Sequence, residues 1–332
     1  MATVGDDVRE GVPLTNLDQE LFDDAGATKR DLVNYLDGVA ERLLPVLSGR
    51  ALSVIRTRPG QVPFMQKNVP KSAPSWLATT TEWAESSQRS VVYALCNDRR
   101  SLIWFANQRA VEYHPALVCA DDRDRMTHLV IDLDPPEGKP FGSVVAVAHL
   151  VREALAAAGL TGVAKTSGAK GVHIFVPLSD TIDGDDAAAA LRALAARVER
   201  SDPTVATTAF IKADRGDKIF VDATRSGSAT VVAAYSPRAR PGVPVSFPVA
   251  WDELDAARPS DFTIHTALDR LGDGDPWASL MPPPQQLGDD LVAEGRTIPT
   301  PRVVAMHEGK RRAREIARDR KPGRRVVSSD DA

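Results

Sequence analysis

LVIDLDPPEG, residues 129–138, sets two aspartates one residue apart at the end of an apolar run and then closes with two prolines. Strand side chains alternate between faces, so Leu129, Ile131 and Leu133 can enter a core while Val130, Asp132 and Asp134 share the other face. Two rises of ~3.3 Å put the aspartate Cα atoms about 6.5–7 Å apart, close enough for the carboxylates to converge on a shared cation. Pro135 and Pro136 lack a backbone N–H, so the strand ends there and leaves the acids at its rim. By itself the pattern also fits two solvated acids on an exposed strand face.

Outward from this strand, GVHIFVPL (171–178) and KIFVDAT (218–224) read as further strands. Helical spacing lies between and before them. Thr28 can cap a helix carrying Leu32, Tyr35 or Leu36, Val39 and Leu43, with Pro45 and Gly49 marking its end. Ser143 can cap VVAVAHLVREALAAAG, with Gly159 as its stop, and DDAAAALRALAARVER precedes Pro203. ALSVIRTRPG reads as a strand entering a turn, and SVVYALCNDRRSLIWFANQ as two strands joined around Asn97-Asp98. Strands interleaved with helices indicate a mixed α/β or α+β core whose strand order is not readable. Pro and Gly become frequent after about residue 236, and MPPPQQ (281–286) looks like the start of a peripheral or linking segment.

The chain has 332 residues, 26% charged and 43% hydrophobic, the profile of a globular protein rather than a disordered one. Its first residues are acidic, not a leader's basic-then-apolar pattern, and no run approaches a membrane span, so a cytoplasmic, nucleoid-associated protein without a membrane partner is expected. Cys96 and Cys119 form neither a disulfide framework nor a CxxC pair. The net charge of −4 conceals a basic end. KRRAREIARDRKPGRR (310–325) holds only Glu315 and Asp319 against its arginines and lysines, and reads either as a phosphate-backbone anchor or as a solvated tail.

Three pieces can make one site. Asp132 and Asp134 offer oxygen ligands, which favour Mg²⁺ or Mn²⁺, and a pair of such ions can activate an attacking oxygen and stabilise a leaving one in phosphoryl transfer. KTSGAKGVHIFVPL (165–178) offers Gly168 and Gly171 for a tight loop, Ser167 and Lys170 for an anion, and His173 on the following strand; it lacks P-loop spacing and also fits an ordinary glycine turn. KIFVDATRSG puts Asp222 near another strand end, where a lone Asp commonly caps a turn. Downstream, Arg238 and Arg240 lie two apart, so both could reach one polyphosphate from an extended segment, or form an exposed basic loop.

In chain order, LTNLDQELF, TKRDLVNYL, FMQK, VEYHP, IDLDPPEG, KTSGAKGVHIFVPL, IFVD, AYSPRARPG and WDEL resemble the polymerase domain of bacterial ATP-dependent ligase D, a primase-polymerase of the archaeo-eukaryotic primase superfamily. The resemblance runs from about residue 12 to about 255 and continues more weakly to about 285. It implies an α+β, two-lobed fold with an RRM-like catalytic sheet: an N-terminal lobe at about 1–110, a catalytic region at about 111–255, a peripheral segment at 256–300 and a basic tail at 301–332. It implies a template-dependent nucleotidyltransferase using NTP or dNTP substrates, with ribonucleotides preferred. Asp132, Asp134 and Asp222 match the family's catalytic metal triad for two Mg²⁺ or Mn²⁺ ions. Ser167, Gly168, Lys170, Gly171 and His173 match its nucleotide loop, His114 another nucleotide contact, and Arg238 or Arg240 a triphosphate clamp.

The same resemblance implies gapped or broken DNA as partner, recognised through a downstream 5′-phosphate. Lys29 matches one lysine of that pocket, whereas Gln19 stands where the other is usual. Phe64 matches a template-stacking aromatic, with Met65 in place of a second one, and Lys67 and Arg56 fit phosphate contacts. After Asp222 the family often has Tyr then Arg-Asn, whereas this chain reads Ala223, Thr224, Arg225, Ser226. No KxDG occurs, so sealing is expected from a separate ATP-dependent DNA ligase, with end-binding repair proteins as further partners. The expected role is short-gap filling or break-end processing, in end joining or excision repair. Two other classes fit the DxD less well: a HAD-like phosphatase, whose DxD is normally followed by a small flexible turn, and a non-catalytic module bridging DNA ends.

Overall fold

The computed structural model describes residues 4–84, 88–179, 182–227 and 229–300. The basic segment 310–325 lies outside the described residues. The chain opens with a hairpin, β1 (Val4–Arg9) and β2 (Val12–Thr15), followed by helices α1 (Lys29–Gly38) and α2 (Ala40–Leu47). Thr28 does cap α1: its side chain accepts from the Asp31 N–H while Asp31 reaches back to the Thr28 N–H. Pro45 does not end the helical run, which reaches Leu47; only the last turn surrounds it, and Gly49 then takes a positive φ of 69°.

A first sheet follows from β3 (Leu52–Arg58), β4 (Gln61–Gln66), β5 (Thr79–Ala84) and β6 (Arg89–Ala94). The stretch after β6 corrects the expectation of two strands. Asp98 is an N-cap whose carboxylate accepts from the Ser101 N–H at 2.7 Å, so RRSLIWFAN forms helix α3 (Arg99–Asn107). Its buried Leu102, Ile103, Phe105 and Ala106 cover a helix face that a period-2 reading of a short apolar run misses. β7 (Ala110–Pro115) then returns to pair with β3, so this sheet draws on residues up to Pro115.

The second sheet holds β8 (His128–Asp134), β9 (Val163–Thr166), β10 (Val172–Pro177), β11 (Ala206–Thr207), β12 (Ile219–Asp222) and β13 (Pro248–Val249) in the order β11-β12-β8-β10-β9-β13. Only β11–β12 is parallel. Helices α4 (Phe141–Ala157) and α5 (Gly184–Ser201) pack against this sheet and each other. Ser143 lies inside α4 rather than capping it, and Pro140 occupies the cap. Both sheets, the helices and the strand-poor stretch 231–247 share one apolar core. Its ties include the buried Tyr35 hydroxyl, which donates to the Tyr235 carbonyl at 2.8 Å. The fold is α+β.

Two short helices, α6 (Ala267–Leu271) and α7 (Pro276–Leu280), lead into the segment expected to be peripheral. It is tied down. Gln285 bonds through its backbone to Pro177 and Ser179 and through its side-chain amide to Thr161. Helix α8 (Asp289–Thr297) then lies along α5, where a Cβ on Gly295 would meet the Ala189 carbonyl oxygen at 1.8 Å. Glycine permits that approach.

Candidate active site

Register across the second sheet pairs Asp222 with Asp132, Asp132 with His173, and His173 with Lys165. Directly paired residues point to the same side, so four adjacent strands present one polar row on the face away from α4 and α5. Asp222, His173 and Lys165 are buried, and Asp132 is largely so. Asp134 stands one pleat further along β8, half exposed at the rim where the prolines end the strand.

Each acid is already engaged by a cation. Arg225 Nη2 donates to Asp132 Oδ2 at 3.0 Å, and its Nε lies 3.3 Å from Asp222 Oδ2. Asp134 is flanked by Lys170 at 3.7 Å and Arg215 at 3.6 Å. Asp222 also does what a lone strand-end Asp commonly does: its Oδ1 accepts from the Thr224 N–H and hydroxyl. Burial alone would raise the Asp132 pKa, but the His173 and Arg225 contacts overcome it and hold the carboxyl well below its ordinary value.

Behind the acids runs a buried polar chain. Lys165 Nζ donates to Ser246 Oγ at 2.6 Å and lies 2.9 Å from His173 Nδ1, whose Nε2 faces Asp132 Oδ1 at 3.4 Å. Burial, and after it the nearby Lys165 charge, push the His173 pKa down to about 4. A neutral ring with its proton on Nε2 satisfies both neighbours, accepting from lysine and donating toward the carboxylate. Burial likewise holds the Lys165 pKa well below its usual range.

The loop after β9 is shaped by its own serine. Ser167 Oγ accepts from the N–H groups of Ala169 at 3.2 Å and Gly171 at 3.0 Å, so these backbone donors are turned onto the hydroxyl. Gly168 has φ +66°, and a Cβ there would stand 2.7 Å from Arg238 Cγ; one on Gly171 would stand 2.3 Å from the Leu133 carbonyl oxygen. Arg238 donates to the Ser167 carbonyl and pairs with the buried Glu112 at 3.0 Å. Glu112 in turn meets His114 Nε2 at 2.8 Å. His114 thus reaches the loop only through Glu112 and Arg238. Burial works against the Glu112 carboxylate, yet the His114 hydrogen bond and the Arg238 charge lower its pKa to about 2.

One cleft of about 330 Å³ gathers Asp132, Asp134, Asp222, Ser167, Lys170, Gly171, His173, Arg238 and Arg240, together with Arg215 and Arg225. Gly168 adjoins it through Arg238. The residues assigned to DNA contact stand elsewhere, on the first lobe. Phe64 is exposed on β4 with the Arg56 and Arg58 guanidinium carbons 5.8 and 5.7 Å from its ring centroid, and Lys67 is exposed just beyond. Gln19 is exposed, but Lys29 is buried, donating to the Thr15 carbonyl and, at 2.6 Å, to Asn107 Oδ1.

Among the described residues, no three His, Cys, Asp or Glu side chains close on one point as a ready metal cluster. The donor chemistry nevertheless fits hard divalent cations: three carboxylates share one face, two in register, and a guanidinium already spans that pair as a positive charge. Sequence reasoning passed over four residues here. Arg225 and Arg215 lie in loops with no periodicity, whereas Lys165 and Glu112 carry a usable signal, each standing two residues from a named site residue.

The family model for the LigD primase-polymerase domain matches residues 28–277. The Multifunctional non-homologous end joining DNA repair protein LigD of Mycobacterium tuberculosis is 34% identical over 284 residues, covering 82% of this chain and 37% of that protein. The Bifunctional non-homologous end joining protein LigD of Bacillus subtilis is 31% identical, covering 80% of this chain and 43% of its own length. The chain therefore spans well under half of these curated relatives. The solved polymerase domain of Mycobacterium tuberculosis ligase D, in complex with DNA, superimposes with a TM-score of 0.75 at 34% identity, covering 81% of this chain and 97% of that one. With its polar row, loop and cleft in that frame, the chain belongs to the LigD primase-polymerase domain family.

Proposed function

We propose that the chain is a template-dependent nucleotidyltransferase that extends a primer 3′-hydroxyl, filling short gaps or processing break ends in DNA repair. The observation that carries this reading is the Asp222–Asp132–His173 row sharing one cleft with the Ser167–Gly171 loop and the basic side chains. Family membership supports polymerase chemistry over the phosphatase reading, and the DNA complex of the similar domain supports nucleic acid as partner.

Asp132, Asp134 and Asp222 would hold two Mg²⁺ or Mn²⁺ ions, which when bound activate the attacking hydroxyl and neutralise charge at the α-phosphate. Around them the chain supplies fixed charge. His173 steadies Asp132 from behind, and Lys170, Arg215 and Arg240 line the cleft where an NTP or dNTP triphosphate would lie. Arg238, anchored between Glu112 and the loop carbonyl, holds the loop's shape, and His114 acts through Glu112. Departure of pyrophosphate completes the transfer. Arg225 must leave at least one carboxylate for the ions to enter.

The finer features rest on the family resemblance: ribonucleotides preferred, a downstream 5′-phosphate recognised, and the nick passed to a separate ATP-dependent ligase with end-binding proteins nearby. The relatives' names support end joining. No helix of the described residues is long and apolar enough to cross a membrane.

Primer extension on a gapped duplex with a 5′-phosphate, with Mg²⁺ or Mn²⁺ and rNTPs or dNTPs, tests the reading. Incorporation directed by the template base is expected. DNA binding without incorporation under all four conditions would overturn it in favour of a bridging module.

A further inference from the structure

A cavity of about 150 Å³ opens where α2 and the end of β7 meet the second sheet. His128 on β8 and Phe175 on β10 line it from the sheet, and strand parity puts them on the same face as Asp132 and His173. Four rises of ~3.3 Å place His128 about 13 Å along β8 from Asp132. The cavity shares no lining residue with the cleft that gathers the acids. It is a separate space, and the polymerase chemistry makes no use of it.

Its wall is apolar and aromatic, with one cation set into it. His128 meets Phe175 edge-on with 5.8 Å between ring centroids, and Phe175 meets Trp277 edge-on at 5.1 Å. The partly buried Arg50 donates from Nη1 to the Ala116 carbonyl at 3.1 Å and from Nη2 to Thr127 Oγ1 at 2.7 Å. Both acceptors are neutral, and among the described residues Arg50 pairs with no carboxylate. These bonds leave other N–H groups of the guanidinium for a guest. Burial lowers the Arg50 pKa, with only Cys119 pulling the other way. Thr127 Oγ1 also lies 2.9 Å from His128 Nδ1. Burial, and after it the Arg50 charge, hold the His128 pKa at about 4, so that ring is neutral near pH 7 and Arg50 is the one charged group lining the cavity.

We propose that this cavity binds a small aromatic monocarboxylate, with its ring against Phe175 and Trp277 and its carboxylate on Arg50. An apolar space of about 150 Å³ accommodates one benzene-sized ring. Aromatic walls take an aromatic guest through further edge-to-face contacts. A guanidinium set among apolar side chains favours a carboxylate, because the charge-assisted bond forms where little water competes. One ring and one negative charge satisfy the whole lining.

The test is a ligand-detected NMR titration of the full chain, without metal, nucleotide or DNA, with three probes of one ring size: benzoate, benzyl alcohol and benzylamine. Benzoate should bind about tenfold more tightly than benzyl alcohol, and benzylamine should not bind. Arg50→Met keeps an apolar stem and removes the charge, so it should bring the benzoate and benzyl alcohol Kd values together while benzyl alcohol still binds. Val46→Phe, at a half-buried position of the lining on α2, should fill the space and abolish binding of both. That variant decides the matter if Arg50→Met fails to fold. No preference for benzoate in the unaltered protein, or a preference that survives Arg50→Met, overturns the proposal. Benzoate binding that survives Val46→Phe also overturns it, by placing the anion on other cations such as those of the acid cleft.

Discussion

Asp132 and Asp222 stand opposite each other across β8 and β12 and share a single guanidinium, with Arg225 3.0 Å from one carboxylate and 3.3 Å from the other. Without a cation between them the two acids would repel at this spacing. The arginine therefore fills electrostatically the place proposed for divalent ions.

Arg225→Ala should lower the melting temperature of metal-free protein by the equivalent of about 1 kcal/mol, since the ion pair is partly solvent-screened. Added Mn²⁺ should then raise it more than in the unaltered protein, because the ion no longer competes with a tethered cation. Thermal denaturation with and without Mn²⁺ checks both. Equal metal responses would show that Arg225 is not the counter-ion of the pair.

Asp132→Ala should reduce nucleotide incorporation by on the order of 10²–10³-fold, the size of effect seen when a group that stabilises transition-state charge is removed. Retained DNA binding would locate the loss in the chemistry. Undiminished extension would remove Asp132 from the proposed catalytic triad.

Gly171→Ala would drive a methyl into the Leu133 carbonyl at the point where the loop touches β8. A cost of about 1–3 kcal/mol is expected from overpacking, measured by urea denaturation, with weaker nucleotide binding because the loop must shift. A fully stable variant with unaltered nucleotide affinity would show the approach to be looser than described.

Acidification should destabilise the protein between about pH 6.5 and pH 4. Burial first, and then the Arg50 charge, lower the His128 pKa to about 4, and His173 is likewise lowered to about 4. Between the folded and unfolded values the unfolded chain binds more protons, so stability falls as pH falls through this window. A drop in melting temperature on the order of 5 °C is expected from pH 7 to pH 4.5. His128→Phe should flatten part of that slope, and an unchanged slope would clear His128 of a role in it.

Gly295→Ala should destabilise by about 1–3 kcal/mol, because any side chain at 295 collides with the α5 backbone. Hydrogen exchange along α5 and α8 would report the separation of the two helices. No change in exchange or melting would mean that α8 contributes nothing to the core.

The parity of the three strands that carry the acids and the histidine, and the start of the first helix, were legible from local pattern. β8, β10 and β12 form where LVIDLD, GVHIFVPL and KIFVDAT place them, and Thr28 caps its helix, because alternation and capping involve only near neighbours in sequence. The reading failed at Asp98, where an apolar run too short to separate periods of 2 and 3.6 became a helix. MPPPQQ, read as peripheral from its prolines, proved docked, since Gln285 bonds to partners on β10 and before β9 that composition does not reveal.

That Asp132, Asp134 and Asp222 stand at strand ends, that a glycine loop precedes His173, and which family these blocks resemble can all be read along the chain. Those facts are carried by residue identity and short-range geometry. That Asp222 faces Asp132, that Lys165 lies behind His173, that Arg225 bridges the acids and that Arg109 meets Gln19 emerges from the folded arrangement alone. Strand order, register and loop path join residues far apart in the chain, and they are settled by burying whole faces together, which no local period encodes.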